Sequence, residues 1–322
     1  MIARYRGTGK RACTLISTCL STSRAESNRH TNRRTFPVGL CGGGYKAGSQ
    51  QRCSAHWAGL LAASAVVASV NTESEEPVPI DQKSDVLPKL LELLDQLYNS
   101  KKYVELLAVL DNCEEISSAE LLWRRARVKW EIIKIEDKDT SIFARSDRVS
   151  QIQELVDLVE QALEMDETCS SAHRWKAILS DARSSLAGLK EQFRNLETKK
   201  YHLERAVELD PSDAAAMTLL GAWHMNLLEL PLLPRFIAFV LLKIPKYGSY
   251  EDALELFLRA EEIAPAVSVG NVFLAGKAYF RLGNKSKAKE YLELAINREA
   301  TSDEDLIYQE EAKLFARANS MS

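Results

Sequence analysis

The sequence predicts an all-α fold, an irregular solenoid of stacked helix pairs. Through most of the chain after residue 86, apolar side chains recur three and four residues apart, which is the period of one buried helix face. A helix–turn–helix pattern also occurs four times along this part of the chain. A recurring unit of this kind is typical of repeat proteins, in which each helix pair buries its apolar face against the next pair.

Residues 201–226 show the pattern in its simplest form. The first apolar stripe ends at Asp210-Pro211, because the residue before Pro is driven out of the α-helical region and Pro donates no N–H. Asp213 is then predicted to cap a second helix by accepting hydrogen bonds from its free first amides. Gly221 lies inside that second helix, where Gly costs about 1 kcal/mol relative to Ala. Its presence therefore indicates that another residue packs closely against this position.

The four copies of the pattern can be aligned on one small residue of the first helix in each. Successive copies are then 44, 54 and 35 residues apart. The last step is close to the 34-residue period of the tetratricopeptide repeat, and the longer steps fit that period with insertions. The stretch "AGKAYFRLGNKSKAKEYLELAI" resembles the consensus of that repeat, and an unrelated helical bundle is the alternative. The residues expected to pack between repeat helices are Ala162, Ala206, Gly221, Ala260, Gly276, Tyr279, Ala288 and Ala295.

The N-terminal 56 residues differ in composition from the rest of the chain. They contain ten Lys or Arg and one acidic residue, and they are rich in Ser, Thr and Gly. This composition is typical of a mitochondrial transit peptide, so residues 1–56 are interpreted as a disordered basic targeting segment. A basic arm without a targeting role is the alternative. The remaining residues hold 32 basic and 44 acidic side chains, which gives them a net charge of −12.

Two short segments separate the basic arm from the body of the chain. Residues 57–70 are weakly apolar, but at about 1.5 Å per residue a helix of this length is shorter than the ~30 Å hydrocarbon core of a bilayer. They are interpreted as a marginal anchor, a sorting signal or part of the removed segment. Residues 71–85 are predicted to be an acidic linker with two Pro residues, and the repeat domain is predicted to occupy residues 86–318.

The sequence offers no pattern typical of a catalytic or metal-binding site. The six Cys residues form no CxxC pair, and the five His residues are dispersed. The Gly-rich stretch at 41–49 follows no predicted strand, so it lacks the structural context of a phosphate-binding loop. These residues do not supply the combination of roles that an active site needs. The sequence therefore predicts a non-catalytic binding protein with no cofactor and no metal.

About twenty residues more than a standard repeat requires lie between Gly221 and Ala253. They include an apolar run between Pro234 and Pro245 that is too short to cross a bilayer. Packing of this run on the solenoid is the first interpretation, and insertion into a membrane surface is the alternative. The residues that characterise the apolar insertion are Phe236, Ile237, Phe239, Val240 and Leu241.

The insertion and its flanking repeats resemble one known family. The stretches "SAHRWKAILSD", "HLERAVELDPSDAAAMTLLGAW" followed by "LPLLPRFIA", and "YEDALELFLRAEEIAP" occur in that order, after a helix-like "ELLWRRARV". Together they resemble the regulator of microtubule dynamics family from about Leu90 to Phe315. The resemblance implies a non-catalytic helical-repeat protein that associates with microtubules and the spindle. For some members it also implies residence at mitochondria, tethering of membranes and carriage of lipid in the repeat groove.

Contact with the acidic tails of tubulin would require a local basic surface, because the body of the chain is negative overall. Two clusters are candidates for this contact, and both are expected to face outward. Ordinary solvated helix faces are the alternative for each. The candidate residues are Arg124, Arg125 and Lys129 in the first cluster and Lys285, Lys287 and Lys289 in the second.

These observations predict tubulin or microtubules as the partner, whereas the acidic body disfavours nucleic acid. A lipid-binding or organelle-tethering module and an intramitochondrial assembly scaffold are the alternatives, with lipid or protein in the repeat groove. Membrane association would use residues 56–70 or 235–244. The predicted location is the mitochondrion, and the resemblance adds the cytoplasm, the cytoskeleton and the spindle.

Overall fold

The structure is a computed structural model that describes residues 86–113, 117–139, 145–230, 248–265 and 268–321. The described residues form eleven α-helices and no β-strand, which confirms the predicted all-α fold. The basic arm, the segments up to residue 85 and the apolar insertion at Phe236, Ile237, Phe239, Val240 and Leu241 lie outside the described residues. The helices are α1 (Val86–Asn99), α2 (Tyr103–Asp111), α3 (Ala119–Asp139), α4 (Arg145–Met165), α5 (Ser170–Ala187), α6 (Leu189–Leu209), α7 (Ala214–Leu228), α8 (Tyr250–Ile263), α9 (Val269–Arg281), α10 (Lys285–Asn297) and α11 (Asp303–Ala318).

The described residues divide into two compact units. The smaller unit contains residues 86–113, 117 and 131–139. The larger unit contains residues 118–130 and all described residues from 145 onward. Helix α3 therefore contributes its first part to the larger unit and its last part to the smaller one.

In the smaller unit, α1 packs against α2. Helix α1 buries Leu90 and Leu94 one turn apart, and α2 buries Leu106 and Leu110 at the same spacing. These i, i+4 pairs form the apolar stripe that each helix needs in order to bury one face. At the end of α1, the hydroxyl of Tyr98 donates a hydrogen bond of 3.2 Å to a carboxylate oxygen of Glu131.

In the larger unit, the helices pack mainly on their neighbours in sequence. Every consecutive pair from α4 to α11 is in contact, and α9 also packs against α7 and α11. Contacts between nearest neighbours along the chain are what stacked helix pairs produce. This part of the molecule is therefore built as a tetratricopeptide-like series of helix pairs.

The helix boundaries around residue 211 lie where the sequence predicts them. Helix α6 ends at Leu209, and α7 begins at Ala214. A carboxylate oxygen of Asp213 accepts a hydrogen bond of 3.0 Å from the backbone N–H of Ala216. The prediction that Asp213 caps this helix is confirmed.

Small residues occupy the tightest positions between the helices. Ala162, Ala206, Ala260 and Ala295 lie on the alternate helices α4, α6, α8 and α10, and each is 2% exposed or less. The 35-residue step spans two helices of 13 residues, whereas the 44-residue step spans helices of 18 and 21 residues. The extra residues of the first step therefore extend the helices themselves.

Two glycines allow close approach between consecutive helices. A Cβ atom added to Gly221 would lie 2.6 Å from Cε1 of Phe257, a ring on α8 that is completely buried. A Cβ atom at Gly276 would lie 3.2 Å from Cγ of Leu292 on α10. The prediction that another residue packs closely on Gly221 is confirmed. Of the other predicted packing residues, Ala288 is fully buried, and Tyr279 is half-buried with its ring 5.1 Å from that of Tyr291.

Two cysteines within the described residues are buried, and neither forms a disulfide. Cys169 precedes α5 and places its sulfur 3.6 Å from a carboxylate oxygen of Glu120. Burial, reinforced by the negative charge of Glu120, raises the pKa of the Cys169 thiol to about 11. Cys113 lies in the smaller unit at the end of α2.

Candidate functional site

The basic cluster on α3 does not present all its charges to solvent. Arg124 is only 8% exposed, and its guanidinium lies 4.2 Å from the centre of the Trp123 ring. The same guanidinium forms an ion pair with the carboxylate of Glu120 one turn earlier and donates to the Glu120 carbonyl at 3.2 Å. The prediction that Arg124 faces outward is wrong, because the buried indole and the neighbouring carboxylate together hold its charge against the protein. Arg125 and Lys129 are half-buried.

The second basic cluster is exposed at the beginning of α10. Lys285, Lys287 and Lys289 all face solvent, and the side chain of Asn284 caps the helix by accepting from the N–H of Lys287 at 3.1 Å. The ammonium of Lys287 lies 2.9 Å from Glu290. Hydrogen bonding to Glu290 raises the pKa of Lys287, so its charge is retained. The three residues form what is called here the lysine cluster.

Positive charges in the first turn of α10 do not stabilise the helix. The first turn carries the positive end of the helix dipole, where added cations are destabilising by about 0.3–1 kcal/mol each. Lys289 is partly compensated by Glu293 at 3.7 Å. Among the described residues, Lys285 has no carboxylate within ion-pair distance. The lysine cluster is thus a solvent-facing surface on which Lys287 and Lys289 are paired with Glu290 and Glu293 and Lys285, within the described part of the chain, is not.

His224 stands beside the apolar insertion in sequence, and its structural role is packing. Its ring meets the Trp223 ring edge-on, with 5.2 Å between the ring centres. Burial lowers the pKa of His224, so the neutral ring is the favoured form. The neutral ring of His224 thus packs against Trp223.

A cavity of about 360 Å³ lies in the larger unit where α4 and α6 flank α5. This α4–α6 cavity was not predicted from the sequence. It is lined mainly by polar and charged side chains. Three cations line it, namely Lys176, Arg183 and Arg194, together with the two carboxylates of Glu160 and Glu191.

One sequence signal could have revealed the α4–α6 cavity. Glu191, Asn195, Thr198 and His202 all line it, and their spacing of four, three and four residues places them on one side of α6. A polar stripe at helical spacing is ordinarily read as a solvated face. Here Asn195 in that stripe is only 8% exposed. Only the packing of α4 and α5 turns the stripe into a cavity wall.

A hydrogen-bonded histidine pair borders the α4–α6 cavity. Nε2 of His173 lies 2.9 Å from the carbonyl oxygen of Glu167, which can only accept, so Nε2 of the neutral ring carries the proton. Nδ1 of His173 is then the acceptor for the Nδ1–H of His202, at 2.9 Å. Burial, together with the positive charge of its surroundings, lowers the pKa of His202 to about 4. His202 is therefore neutral at pH 7, with its Nε2 as an acceptor.

The described residues offer no assembled metal site. Among them, no group of three or more His, Cys, Asp or Glu side chains is close enough to hold a metal ion. No helix within the described ranges is long and apolar enough to cross a membrane.

The helix pairs and the buried small residues on alternate helices define a tetratricopeptide-like helical-repeat protein. Residues 90–320 match the family model described as "Regulator of microtubule dynamics protein 1-3". The chain belongs to the regulator of microtubule dynamics family, and the resemblance seen in the sequence is confirmed.

Comparison with individual proteins gives the same family. The chain is 33% identical to regulator of microtubule dynamics protein 1 of Bos taurus over 231 residues, which are 72% of this chain and 71% of the relative. It is 35% identical to the protein of the same name from Mus musculus, over 70% of this chain and 72% of the relative. A solved thermophilic tetratricopeptide-repeat protein from Thermus thermophilus aligns with 70% of this chain and 98% of its own, at 14% identity and a TM-score of 0.46.

Proposed function

We propose that this chain is a non-catalytic helical-repeat protein that associates with microtubules through the lysine cluster. Membership of the regulator of microtubule dynamics family supports this function, because the curated relatives carry that name. The observation that carries the proposal to particular residues is the exposure of Lys285, Lys287 and Lys289 at the first turn of α10.

Electrostatics explains why a local cluster is needed. Residues 57–322 have a net charge of −12, so the body as a whole repels an acidic partner. The tails of tubulin are acidic, and an exposed group of ammonium ions attracts them within about one Debye length, ~8–10 Å at physiological salt. The contact is therefore expected to weaken steeply as salt increases.

The test compares two triple variants that remove the same charge. The first replaces Lys285, Lys287 and Lys289 with Gln, and the second is a control that replaces the exposed and dispersed Lys89, Lys190 and Arg259 with Gln. Co-pelleting of the full chain with microtubules is measured at several salt concentrations. We expect roughly tenfold weaker binding for the cluster variant, or about 1.4 kcal/mol, and less than a twofold change for the control. Equal pelleting by the two variants would refute the proposal.

We also infer that residues 1–56 direct the chain to mitochondria. Ten basic residues against one acidic residue support this inference. The experiment determines the mature N-terminus and the protease protection of the chain on purified mitochondria. A protected chain starting at about Ser54 or later would mean import, and microtubule binding could not then be its usual work. An intact, protease-accessible chain would contradict import and leave the body facing the cytosol.

A further inference from the structure

We propose that the outward face of α11 is a self-association surface, on which two copies of this chain pair their α11 helices antiparallel. Ile307 and Leu314 form the apolar part of this face, and charged side chains alternate with them. The surface lies on α11, whereas the lysine cluster lies on α10. The proposal goes beyond microtubule association and does not depend on it.

Large apolar side chains are concentrated on the solvent side of α11. Among the described residues, ten large hydrophobic side chains are exposed, and three of them belong to this one helix of 16 residues. They are Leu306 at 53%, Ile307 at 42% and Leu314 at 58% exposure. Single exposed apolar side chains are ordinary on a protein surface, whereas a group of them on one element marks an interaction surface.

The exposed apolar side chains do not belong to the face of α11 that packs within the larger unit. Helix α11 contacts α9 and α10, and its buried residues are Asp305, Ala312 and Ala316. Since successive residues of a helix are rotated by about 100°, Ile307 and Leu314 lie on the side opposite to this buried stripe. Packing against α9 and α10 therefore does not explain why apolar residues occupy these two positions.

The outward face of α11 has the residue spacing of a helix–helix seam. Its central exposed residues recur at intervals of four, three, four and three, which is the spacing by which one helix packs along another. Ile307 and Leu314 are seven residues apart, so they occupy equivalent positions of the seam. The seam residues are Asp303, Ile307, Glu310, Leu314 and Arg317.

The charges of the seam select an antiparallel copy of the same helix as the partner. Asp303 lies in the first turn, Glu310 in the middle and Arg317 in the last turn. In a parallel pair each of these charges would lie beside the same charge of the other copy. In an antiparallel pair whose two-fold axis is level with residue 312, the Leu314 side chains of the two copies interleave at the centre. Arg317 of each copy then lies between Asp303 and Glu310 of the other, so the surface is complementary to itself.

The charged residues of the seam are able to make these contacts. Glu310 pairs with Lys313 at 2.6 Å on its own helix, and hydrogen bonding to Lys313 lowers the pKa of Glu310. Its carboxylate is therefore ionised at neutral pH, and its two oxygens can accept from Lys313 and from an incoming guanidinium. Within the part of the chain that the structure describes, no carboxylate lies at ion-pair distance from Arg317. An antiparallel copy would supply two.

The size of the surface indicates a weak dimer. At ~1.5 Å per residue a helix of this length is about 24 Å long. One pair of such helices buries less than the roughly 1,200–2,000 Å² of a stable interface. We therefore expect monomers and dimers to exchange, with a dissociation constant on the order of 10–100 μM. Charged residues within the seam lower the affinity and fix the orientation.

The first experiment is sedimentation equilibrium of the full chain over the range of about 2–200 μM. We expect the weight-average mass to rise towards that of two chains and no further, because a two-fold contact closes on itself. Leu314→Asp should weaken self-association at least tenfold. Leu189→Asp, a control on α6 with a similar exposure of 53%, should change it less than twofold. Since both leucines are exposed, the two variants should have equal helicity by circular dichroism.

The second experiment tests the antiparallel orientation by exchanging charges. Glu310→Lys and Arg317→Glu each bring like charges together in the proposed pair, so each variant alone should associate at least fivefold more weakly than the wild type. In an equal mixture, the introduced lysine of one copy meets the introduced glutamate of the other. The mixture should therefore associate to within about twofold of the wild type. A variant that had merely lost its fold could not be rescued in this way.

Four results would overturn the proposal. The full chain could remain monomeric up to 200 μM, or it could self-associate equally well with Leu314→Asp, which would assign the contact to another surface. A mass that rises beyond two chains would exclude a closed two-fold pair. A mixture of the two charge variants that associates no better than either variant alone would exclude the antiparallel pairing.

Discussion

The aromatic ring of Phe257 lies directly against the α-carbon of Gly221, so that a Cβ at residue 221 would fall 2.6 Å from Cε1 of the ring. Intrinsic helix propensity favours Ala over Gly by about 1 kcal/mol in the middle of α7. Overpacking of a close-packed core costs about 1–3 kcal/mol. The clash offsets or exceeds the gain in propensity, and we expect Gly221→Ala to lower the free energy of unfolding by up to about 2 kcal/mol.

A double-mutant cycle identifies the cause of this loss. Phe257→Leu removes the outer ring atoms that meet the new methyl group, so Gly221→Ala should cost less in that background than in the wild type. Urea unfolding of the four proteins measures the coupling. If the effects of the two substitutions are strictly additive, contact with the Phe257 ring is not the reason that Gly221→Ala is destabilising.

Arg124→Glu is expected to destabilise the fold rather than to remove a surface charge. It would place a carboxylate beside Glu120 in a position that is 92% buried in the wild type, and it would abolish the contact with the Trp123 ring. Breaking a buried ion pair costs about 3–5 kcal/mol, and we expect about 2–3 kcal/mol here because the Glu120 side chain is 40% exposed. Arg259→Glu on the exposed face of α8 is the control, and it should change the free energy of unfolding by less than about 0.5 kcal/mol. A thermal or urea midpoint for Arg124→Glu equal to that of the control would contradict the burial of this side chain.

The sequence predicted those features that depend on a few neighbouring residues. Asp213 and Pro211 act within one turn of the chain, so the end of α6 and the cap of α7 follow from local rules. The glycine at 221 indicated a close neighbour, although not which one. Identifying Phe257 required knowledge of which helices are in contact.

Whether a polar side chain is buried or exposed could not be predicted in the same way. Arg124 was expected in solvent because a charge beside a polar face usually lies there. Its burial depends on the rotamer that stacks it on Trp123 and on Glu120 being available one turn earlier. Asn195 was not singled out, because only the assembly of α4, α5 and α6 buries it. The choice of rotamer decides the burial of Arg124, and contacts with other helices decide that of Asn195. The periodicity of apolar residues along one helix specifies neither.

Two capping boxes of the same S-x-x-D form give a matched pair for a third prediction. At the exposed start of α8, a carboxylate oxygen of Asp252 accepts a hydrogen bond of 2.7 Å from the backbone N–H of Ser249, the N-cap residue. At the start of α11, the carboxylate of Asp305 accepts from the backbone N–H of the N-cap residue Ser302. It also accepts a hydrogen bond of 3.2 Å from the backbone N–H of Val269, at the start of α9. Asp252→Ala should cost about 1 kcal/mol, as a lost cap does. Asp305→Ala should cost about 3 kcal/mol, because it leaves the buried N–H of Val269 unpaired as well.

Urea unfolding of the two variants under the same conditions measures this difference. If both substitutions lower the free energy of unfolding equally, the hydrogen bond between Val269 and Asp305 does not contribute to stability. Asp305→Asn keeps an acceptor oxygen and should retain part of the stability, which separates hydrogen bonding from charge.

The histidine pair predicts a loss of stability in acid. The pKa of His202 is lowered to about 4 in the folded chain, whereas a His in the unfolded chain titrates near 6.5. The unfolded state therefore binds more protons between these values, and stability falls as the pH drops from about 6.5 towards 4. Discounted for the partial exposure of the ring, the contribution of His202 between pH 7.5 and pH 5 is about 1 kcal/mol.

His202→Gln isolates this contribution, because the Gln side chain can donate to Nδ1 of His173 but does not titrate. The variant should lose about 1 kcal/mol less stability than the wild type between pH 7.5 and pH 5, measured by urea unfolding at both values. Parallel pH dependence of the two proteins would exclude His202 as the source of the acid sensitivity.

Each unit contains one buried native cysteine among its described residues, so transient opening of each unit can be measured without an engineered cysteine. Cys169 is shielded from solvent, and its raised pKa keeps it protonated, so an alkylating reagent reacts with it only after the helices around Glu120 part. Cys113 is buried in the smaller unit and is shielded there by other side chains. Alkylation rates at the two positions, followed by mass spectrometry of the native chain, would report how often each unit opens. They would thus show whether the two units open together or independently.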